Sequence, residues 1–283
     1  MTSFSPAQTS PRIAFIGGGN MATALARGFV QSGLCQPASL HIVDPGETTR
    51  DTWQAYGADT AAGCDARLAD CKVWFFAVKP QNMRAAIDAA RPFLQADTLV
   101  VSIAAGLRAD TLAGWLGTAA QPWTRLVRSM PNTPSLVGAG ATGLAALSGV
   151  TDADRAWVGQ LFGAVGKAVW VRDDEALDAV TGLSGSGPAY VFLFLESLIQ
   201  GGIDLGLDAV QARELALATV QGACALASRS EDPLHTLREK VTSKGGTTAA
   251  ALGSFEADDF GGMVRRAMAA AAERARQMSR ELA

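Results

Sequence analysis

The chain changes rhythm near residue 172, and the rhythm before that point leaves few folds open to it. Short runs rich in Val, Ile and Phe at residues 12–16, 40–43, 73–78, 99–103 and 125–129 alternate with helix-like segments. Such alternation builds βαβ units, and βαβ units build a mostly parallel sheet covered by helices, an α/β fold. Two further candidate strands, 143–147 and 168–171, are expected at one edge of that sheet, with their pairing direction left open by the pattern. Past Arg172 the strand signals stop. Helices are expected over 174–183, 188–201, 209–228, 233–241, 247–257 and 260–281. The length of 283 residues suits two domains, drawn here at 12–172 and 173–283 after a tail of 1–11.

The totals exclude some partners. With 18% charged residues and a net charge of -3, the composition implies no strongly basic face for nucleic acid. Cys35, Cys64, Cys71 and Cys224 show neither zinc-site spacing nor the density of a secreted disulfide scaffold. Reduced structural thiols in a cytoplasmic protein are expected, and no metal site. Residues 1–11 are rich in Ser, Thr, Pro and Gln, lack the basic start and apolar run of a signal peptide, and read as a disordered tail. The longest aliphatic and aromatic run after it, 190–195, is too short to span a bilayer, so no membrane is expected. Yet Tyr190-Val191-Phe192-Leu193-Phe194-Leu195 is apolar on every side of a helix. A helix of that kind must be covered, and with little sheet nearby a second subunit is the expected cover.

The first strand is followed by Gly17-Gly18-Gly19-Asn20-Met21-Ala22, and then by a helical pattern over 21–30. Gly17, Gly19 and Ala22 fill the three small positions of a dinucleotide-binding fingerprint. Gly17 makes the tight turn, Gly19 lets a pyrophosphate approach the backbone, and Ala22 lets the helix pack on the strand. The helix start at Asn20 and Met21 then faces the phosphates with its free N–H groups. The first half is therefore expected to be a Rossmann-type dinucleotide-binding domain.

Other residues of that crevice follow from the rule that ligands bind beyond the carboxyl ends of parallel strands. Asp44 ends the second strand, where a carboxylate accepts hydrogen bonds from an adenosine ribose and repels the 2′-phosphate of NADPH. The alternative is a strand-end turn residue before Pro45. Thr48, Thr49 and Arg50 just beyond are chemistry that accommodates a phosphate, so NADH and NADPH both stay open. Val78, Lys79 and Pro80 end the next strand, and Ser102-Ile103-Ala104-Ala105-Gly106 the one after. Lys79 either touches a ribose or phosphate or is a solvated loop lysine. Met130-Pro131-Asn132-Thr133-Pro134 is a stiff turn whose two prolines fix the backbone and whose Asn132 offers an amide near a reaction site.

A second anion-cradling segment lies in the helical half. Val241-Thr242-Ser243-Lys244-Gly245-Gly246-Thr247-Thr248 joins hydroxyls and two glycines to a helix start. It reads either as a ligand site or as a glycine-rich helix connection with caps. Two such loops in one chain suggest a cofactor and a substrate.

Taken together these segments, with Gly182-Leu183-Ser184-Gly185-Ser186-Gly187-Pro188-Ala189-Tyr190-Val191-Phe192, resemble pyrroline-5-carboxylate reductase over about residues 12–283, in the right order. The resemblance implies reduction of 1-pyrroline-5-carboxylate to L-proline by NADPH or NADH, the last step of proline biosynthesis. It implies a homodimer that interlocks its helical domains, often built into a larger ring of dimers, so the second half becomes a dimerisation and substrate domain. Ser243, Gly245, Gly246 and Thr247 would hold the substrate carboxylate, and Thr248 matches the family's substrate hydroxyl, placed at the ring nitrogen. Lys244 departs from the proline common there, which adds charge and gives up rigidity. Gly185-Ser186-Gly187-Pro188 forms a small entry to the central helix, for either a close nicotinamide or plain helix packing.

The chemistry is compatible with these residues. An imine protonated in water is already an activated iminium, so no strong protein acid is required. The chain's two histidines, His41 inside a predicted strand and His235 near a helix start, form no His-Asp relay in sequence. A β-hydroxyacid dehydrogenase would need an acid in the helical half, where Lys240 and Lys244 are the only lysines and neither has the matching context. Another cyclic-imine reductase would share the mechanism and differ in pocket size. A non-catalytic NAD(P) sensor would have no use for the second loop.

Overall fold

A computed structural model describes residues 11–282. The tail expected over 1–11 lies outside the described residues except for Pro11. By its packing the chain divides into two units: one runs up to Gly185 and takes in the C-terminal segment from Ala270, the other is Ser186–Ala269. The observed break thus falls later than the expected boundary at 172/173.

In the first unit β1 (Ile13–Ile16), α1 (Asn20–Gln31), β2 (Leu40–Val43), α2 (Glu47–Tyr56), β3 (Asp59–Ala61) and β4 (Val73–Phe76) lead into α3 (Met83–Ala90), β5 (Leu99–Ser102) and α4 (Ala109–Leu116). Then come β6 (Leu126–Met130), β7 (Gly140–Ala146), α5 (Asp152–Gly163), β8 (Gly166–Trp170) and α6 (Asp174–Val180). The eight strands form one sheet in the order β3-β2-β1-β4-β5-β6-β7-β8. All neighbours are parallel except β6 and β7. The short 133–137 turn between β6 and β7 is a hairpin-like return, which forces antiparallel pairing, whereas α5 carries the chain back across the sheet and makes β8 parallel to β7.

The strand β3 has no counterpart in the sequence reading. Its three residues, Asp-Thr-Ala, lack a β-branched run, and it sits at the edge where pairing with β2 through His41, Ile42 and Val43 defines it. The remaining expected strands all exist, 40–43 with the same bounds and the others with ends shifted by at most three residues.

Both faces of β1, β2, β4 and β5 are buried, as the helices on either side require. Alternation sends Ile13, Phe15, Val73 and Phe75 to one face, against Leu25 and Phe29 of α1 and Val158, Leu161 and Phe162 of α5. Ala14, Ile16, Trp74 and Phe76 go to the other, against Met83 and Ile87 of α3 and Leu112 and Leu116 of α4. Phe15 and Phe75 stack at 4.8 Å between ring centres, and Phe162 packs on Phe75 at 6.1 Å.

The helix expected over 174–183 ends at Val180 and passes into a wider π turn over 181–185. Thr181 donates its hydroxyl to the Leu177 carbonyl at 2.9 Å and Ser184 donates to Val180 at 3.3 Å, bonds that compete with the regular ladder. α6 is tied to the sheet by Arg128 of β6, whose Nη1 lies 2.6 Å from Asp174, both side chains nearly buried.

The second unit begins with α7 (Gly187–Asp204) and continues through α8 (Ala209–Arg229), α9 (Leu234–Lys240) and α10 (Thr247–Ala257). The last helix, α11 (Phe260–Glu281), starts in this unit and finishes in the first. Its last turns belong there because Ala275 and Ser279 are buried and Met278 lies over Gly106. α7 has no buried residue of its own, and Val191, Phe192, Leu193 and Phe194 are all exposed. The boundaries expected for α10 and α11 agree with those observed.

Candidate active site

β1, β2, β4 and β5 end side by side. Ile16 pairs with Val43 and with Phe76, and Phe76 with Ser102, so the segments after these four residues leave the sheet along one edge. Strand order also reverses there, since β2 lies on one side of β1 and β4 on the other. That is where an open α/β sheet has its binding crevice.

The glycine turn has the geometry its sequence calls for. Gly17 sits at φ +100, and a Cβ there would lie 2.6 Å from the Ala77 carbonyl oxygen, so both conformation and space demand glycine. Gly18 is packed equally closely, its absent Cβ falling 2.9 Å from Ile42 and Thr49 methyl groups. Gly19 differs: a Cβ there would meet nothing within 4 Å. It is the exposed N-cap of α1, and it caps that helix with no side chain, nor does an acidic residue stand in the first turn. An uncapped, unneutralised helix start facing open space suits a pyrophosphate. Asn20 is exposed and Met21 half-buried beside it, while Ala22 is fully buried against the sheet.

Asp44 both closes the next turn and braces the first. Its Oδ2 accepts the Gly18 N–H at 2.8 Å and its Oδ1 accepts the Gly46 N–H at 2.8 Å. Trp53 of α2 donates its indole N–H to the Gly18 carbonyl at 3.0 Å, so the turn is held from two sides. Nothing in the local pattern singles out Trp53; only the tertiary fold brings it to Gly18.

Val78 is half-buried, Pro80 opens a short 3-10 turn, and Lys79 is exposed and makes no ion pair within the described residues. After β5, Ala104 is buried and Ala105 half-buried. Gly106 is buried at φ +69, with Met278 Cβ 2.7 Å from where its own Cβ would stand. Packing under the C-terminal helix accounts for that glycine. Asn132, expected to offer its amide, is held at both ends: Oδ1 accepts from Ala141 N–H at 2.8 Å and Nδ2 donates one of its two N–H groups to the Ser184 carbonyl at 2.9 Å. It pins the proline turn to the π segment.

In the helical unit, Gly245 is at φ +72 and Gly246 is the N-cap of α10, again with no side-chain cap. Ser243, Gly245 and Thr247 are exposed, Gly246 and Thr248 half-buried. Gly246 N–H donates to the Ser243 carbonyl at 3.0 Å, which folds the loop back before the helix starts. Thr242 instead gives its hydroxyl to Arg238 at 2.6 Å. Lys244 is exposed. Lys240 is engaged by Asp232 at 2.5 Å. Among the described residues no group of three or more His, Cys, Asp or Glu side chains is placed to hold a metal ion.

Fold and glycine turn together define a protein of the dinucleotide-binding Rossmann class with an appended helical domain. The family model for pyrroline-5-carboxylate reductase dimerisation matches residues 174–278, and one for NADP oxidoreductase, coenzyme F420-dependent, matches 12–106. The pyrroline-5-carboxylate reductase of Pseudomonas aeruginosa is 42% identical over 97% of this chain and 99% of its own. The structure of a pyrroline-5-carboxylate reductase from Coxiella burnetii is 34% identical with a TM-score of 0.87, covering 95% of this chain and 99% of that one. The Plasmodium falciparum pyrroline carboxylate reductase with NADP bound is 30% identical with a TM-score of 0.84, covering 96% and 100%. The chain belongs to the pyrroline-5-carboxylate reductase family.

Proposed function

We propose that this chain reduces 1-pyrroline-5-carboxylate to L-proline as the last step of proline biosynthesis, with NADPH or NADH as hydride donor. The observation that carries the reading is a pair of helix starts, α1 at Gly19 and α10 at Gly246, each N-capped by a glycine with no side-chain cap and no acidic residue in the first turn, one for each anion the reaction must hold. Nicotinamide, when bound, supplies a hydride to the imine carbon. The chain supplies position. Ser243, Gly245, Gly246 and Thr247 hold the substrate carboxylate through backbone N–H groups and hydroxyls. Thr248 places its hydroxyl at the ring nitrogen, which enters protonated and leaves as the secondary ammonium after taking one proton more from water. Gly17, Gly19, Asn20 and Met21 receive the pyrophosphate, Asp44 the ribose, and the 78–80 and 104–106 segments line the crevice.

The helical unit is the dimerisation domain of this reading, and its exposed α7 is the surface a second copy covers. The site is completed in the dimer, which assembles further into a ring. No helix among the described residues is long and apolar enough to cross a membrane, and we place the reaction in the cytoplasm, with no nucleic-acid partner. The β-hydroxyacid alternative is weakened because Lys240 is already paired with Asp232.

The test is the initial rate of NADH and NADPH oxidation with 1-pyrroline-5-carboxylate, beside Thr248→Ala protein shown to be folded. Losing one aligned contact to the reacting nitrogen costs about 2 to 4 kcal/mol of transition-state stabilisation, so the mutant rate should fall steeply. A mutant as fast as the unaltered protein removes Thr248 from the site, and no rate with either coenzyme removes the proline assignment.

A further inference from the structure

The sequence leaves the coenzyme open because residues 44–50 hold a carboxylate that repels a 2′-phosphate and, one turn later, an arginine that could bind one. The structure separates the two. Arg50 Nη1 donates to the Asp44 carbonyl at 2.9 Å and to the Pro45 carbonyl at 2.7 Å. Its Nη1 is therefore held by the main chain, which anchors the guanidinium on the turn, while Nε and Nη2 keep their own N–H groups. Thr49 packs its methyl group toward Gly18 and its hydroxyl toward Gly46, within the turn that Asp44 closes. The start of α2 at Gly46 has no side-chain cap, but Glu47 stands in its first turn and adds a second negative charge where a phosphate would seek the helix N–H groups.

Asp44 itself is fixed rather than free. Two N–H groups, from Gly18 and Gly46, hold one lone pair on each carboxylate oxygen, and each oxygen keeps another. A ribose diol donates two hydroxyl protons into those remaining positions. A 2′-phosphate has no such pair of protons to offer and brings its own charge beside two carboxylates.

We propose that the dinucleotide pocket of this chain selects NADH over NADPH, with Asp44 as the selecting residue and Arg50 as a brace of the turn. The proposal rests on the reductase reading above and goes beyond it in naming the coenzyme.

Direct binding tests it without turnover. Trp53, hydrogen-bonded to Gly18, is placed to report nicotinamide binding by energy transfer. Titration with NADH and NADPH, and competition by AMP against adenosine 2′,5′-bisphosphate, should show the phosphate-free member of each pair binding at least about tenfold tighter. Asp44→Ser should narrow both ratios, and Arg50→Ala should weaken NADH and NADPH by the same factor. Equal or tighter binding of NADPH to the unaltered protein overturns the proposal, as does an Arg50→Ala effect confined to NADPH. The ratio in the unaltered protein needs no variant, so misfolding of Asp44→Ser cannot blunt the test. NADH preference without turnover of the imine would sink the substrate reading alone, and no binding of either coenzyme would sink both.

Discussion

The two units of this chain solve the burial of apolar surface in opposite ways. In the sheet unit every residue of β1, β2, β4 and β5 is buried, with helices on both faces supplying the second layer from the same chain. In the helical unit the buried apolar side chains are only Ala212 and Ala216, while Phe192 and Leu193 are 58% and 65% exposed. Hydrophobic residues are abundant in both, so composition does not separate them. What separates them is whether a covering layer exists within one chain. The sheet unit is complete as a monomer, and the helical unit carries the surface expected of a protein whose core is finished by a second copy.

The sharpest way to break that comparison is to place a charge on each side of it. Leu193→Glu puts a carboxylate on a side chain that is exposed in the single chain, so a true surface site would tolerate it. At a two-fold interface it is introduced twice, each buried unpaired charge costing several kcal/mol. We expect monomers in sedimentation, loss of imine reduction, and retained NADH binding by the sheet unit. Dimers of normal activity would mean that α7 is covered by something else. Phe75→Ala is the complementary change. It removes the ring stacked on Phe15 and packed by Phe29 and Phe162, and should cost about 3 to 5 kcal/mol through the cavity it leaves. In urea the loss should appear in the transition of the sheet unit and be independent of protein concentration. A concentration-dependent loss would deny that this unit is self-contained.

Sequence legibility divides instead by whether the cause of a feature is local or brought by the fold. The parallel strands are legible because each is a short apolar run rich in Val, Ile and Phe between helix-like segments, and the fingerprint because Gly17, Gly19 and Ala22 obey local backbone requirements. β3 is not, because its three residues have no pattern of their own and exist as a strand only by pairing with β2. The end of α6 is not legible because the hydroxyls of Thr181 and Ser184 redirect the ladder after Val180. The position of Asp44 was legible, but its two N–H partners, the bracing of Arg50 on main-chain carbonyls and the contact from Trp53 depend on the fold. The place of Gly106 after a strand marks it as a crevice residue, but its packing under Met278 depends on a helix far later in the chain. Asn132 likewise offers an amide in the sequence, and the fold fixes that amide between the Ala141 N–H and the Ser184 carbonyl.

The smallest effect expected is a pH dependence inside the self-contained unit. His41 of β2 is fully buried, and neither ring nitrogen has a hydrogen-bond partner. Nδ1 lies 3.4 Å from Asp59 and Nε2 3.6 Å from Asp65, with Arg67 and Arg12 also facing the cluster. Burial lowers the imidazole below its ordinary pKa of 6.5, and the two arginines act the same way, against the opposing pull of the carboxylates. The folded chain therefore keeps His41 neutral at a pH where the unfolded chain takes up a proton. Stability is fully present above the unfolded pKa and falls as pH drops through 6.5 toward the lower folded value. Urea midpoints measured from pH 7.5 down to 5.5 should decline in the unaltered protein and flatten in His41→Leu. Asp65 is held below its usual range by hydrogen bonding to Arg67, so it titrates under that window and leaves it clean. A midpoint that rises on acidification would mean that Asp59 and Asp65 outweigh burial, turning His41 from the weak point of the sheet edge into a charged member of its ion-pair cluster.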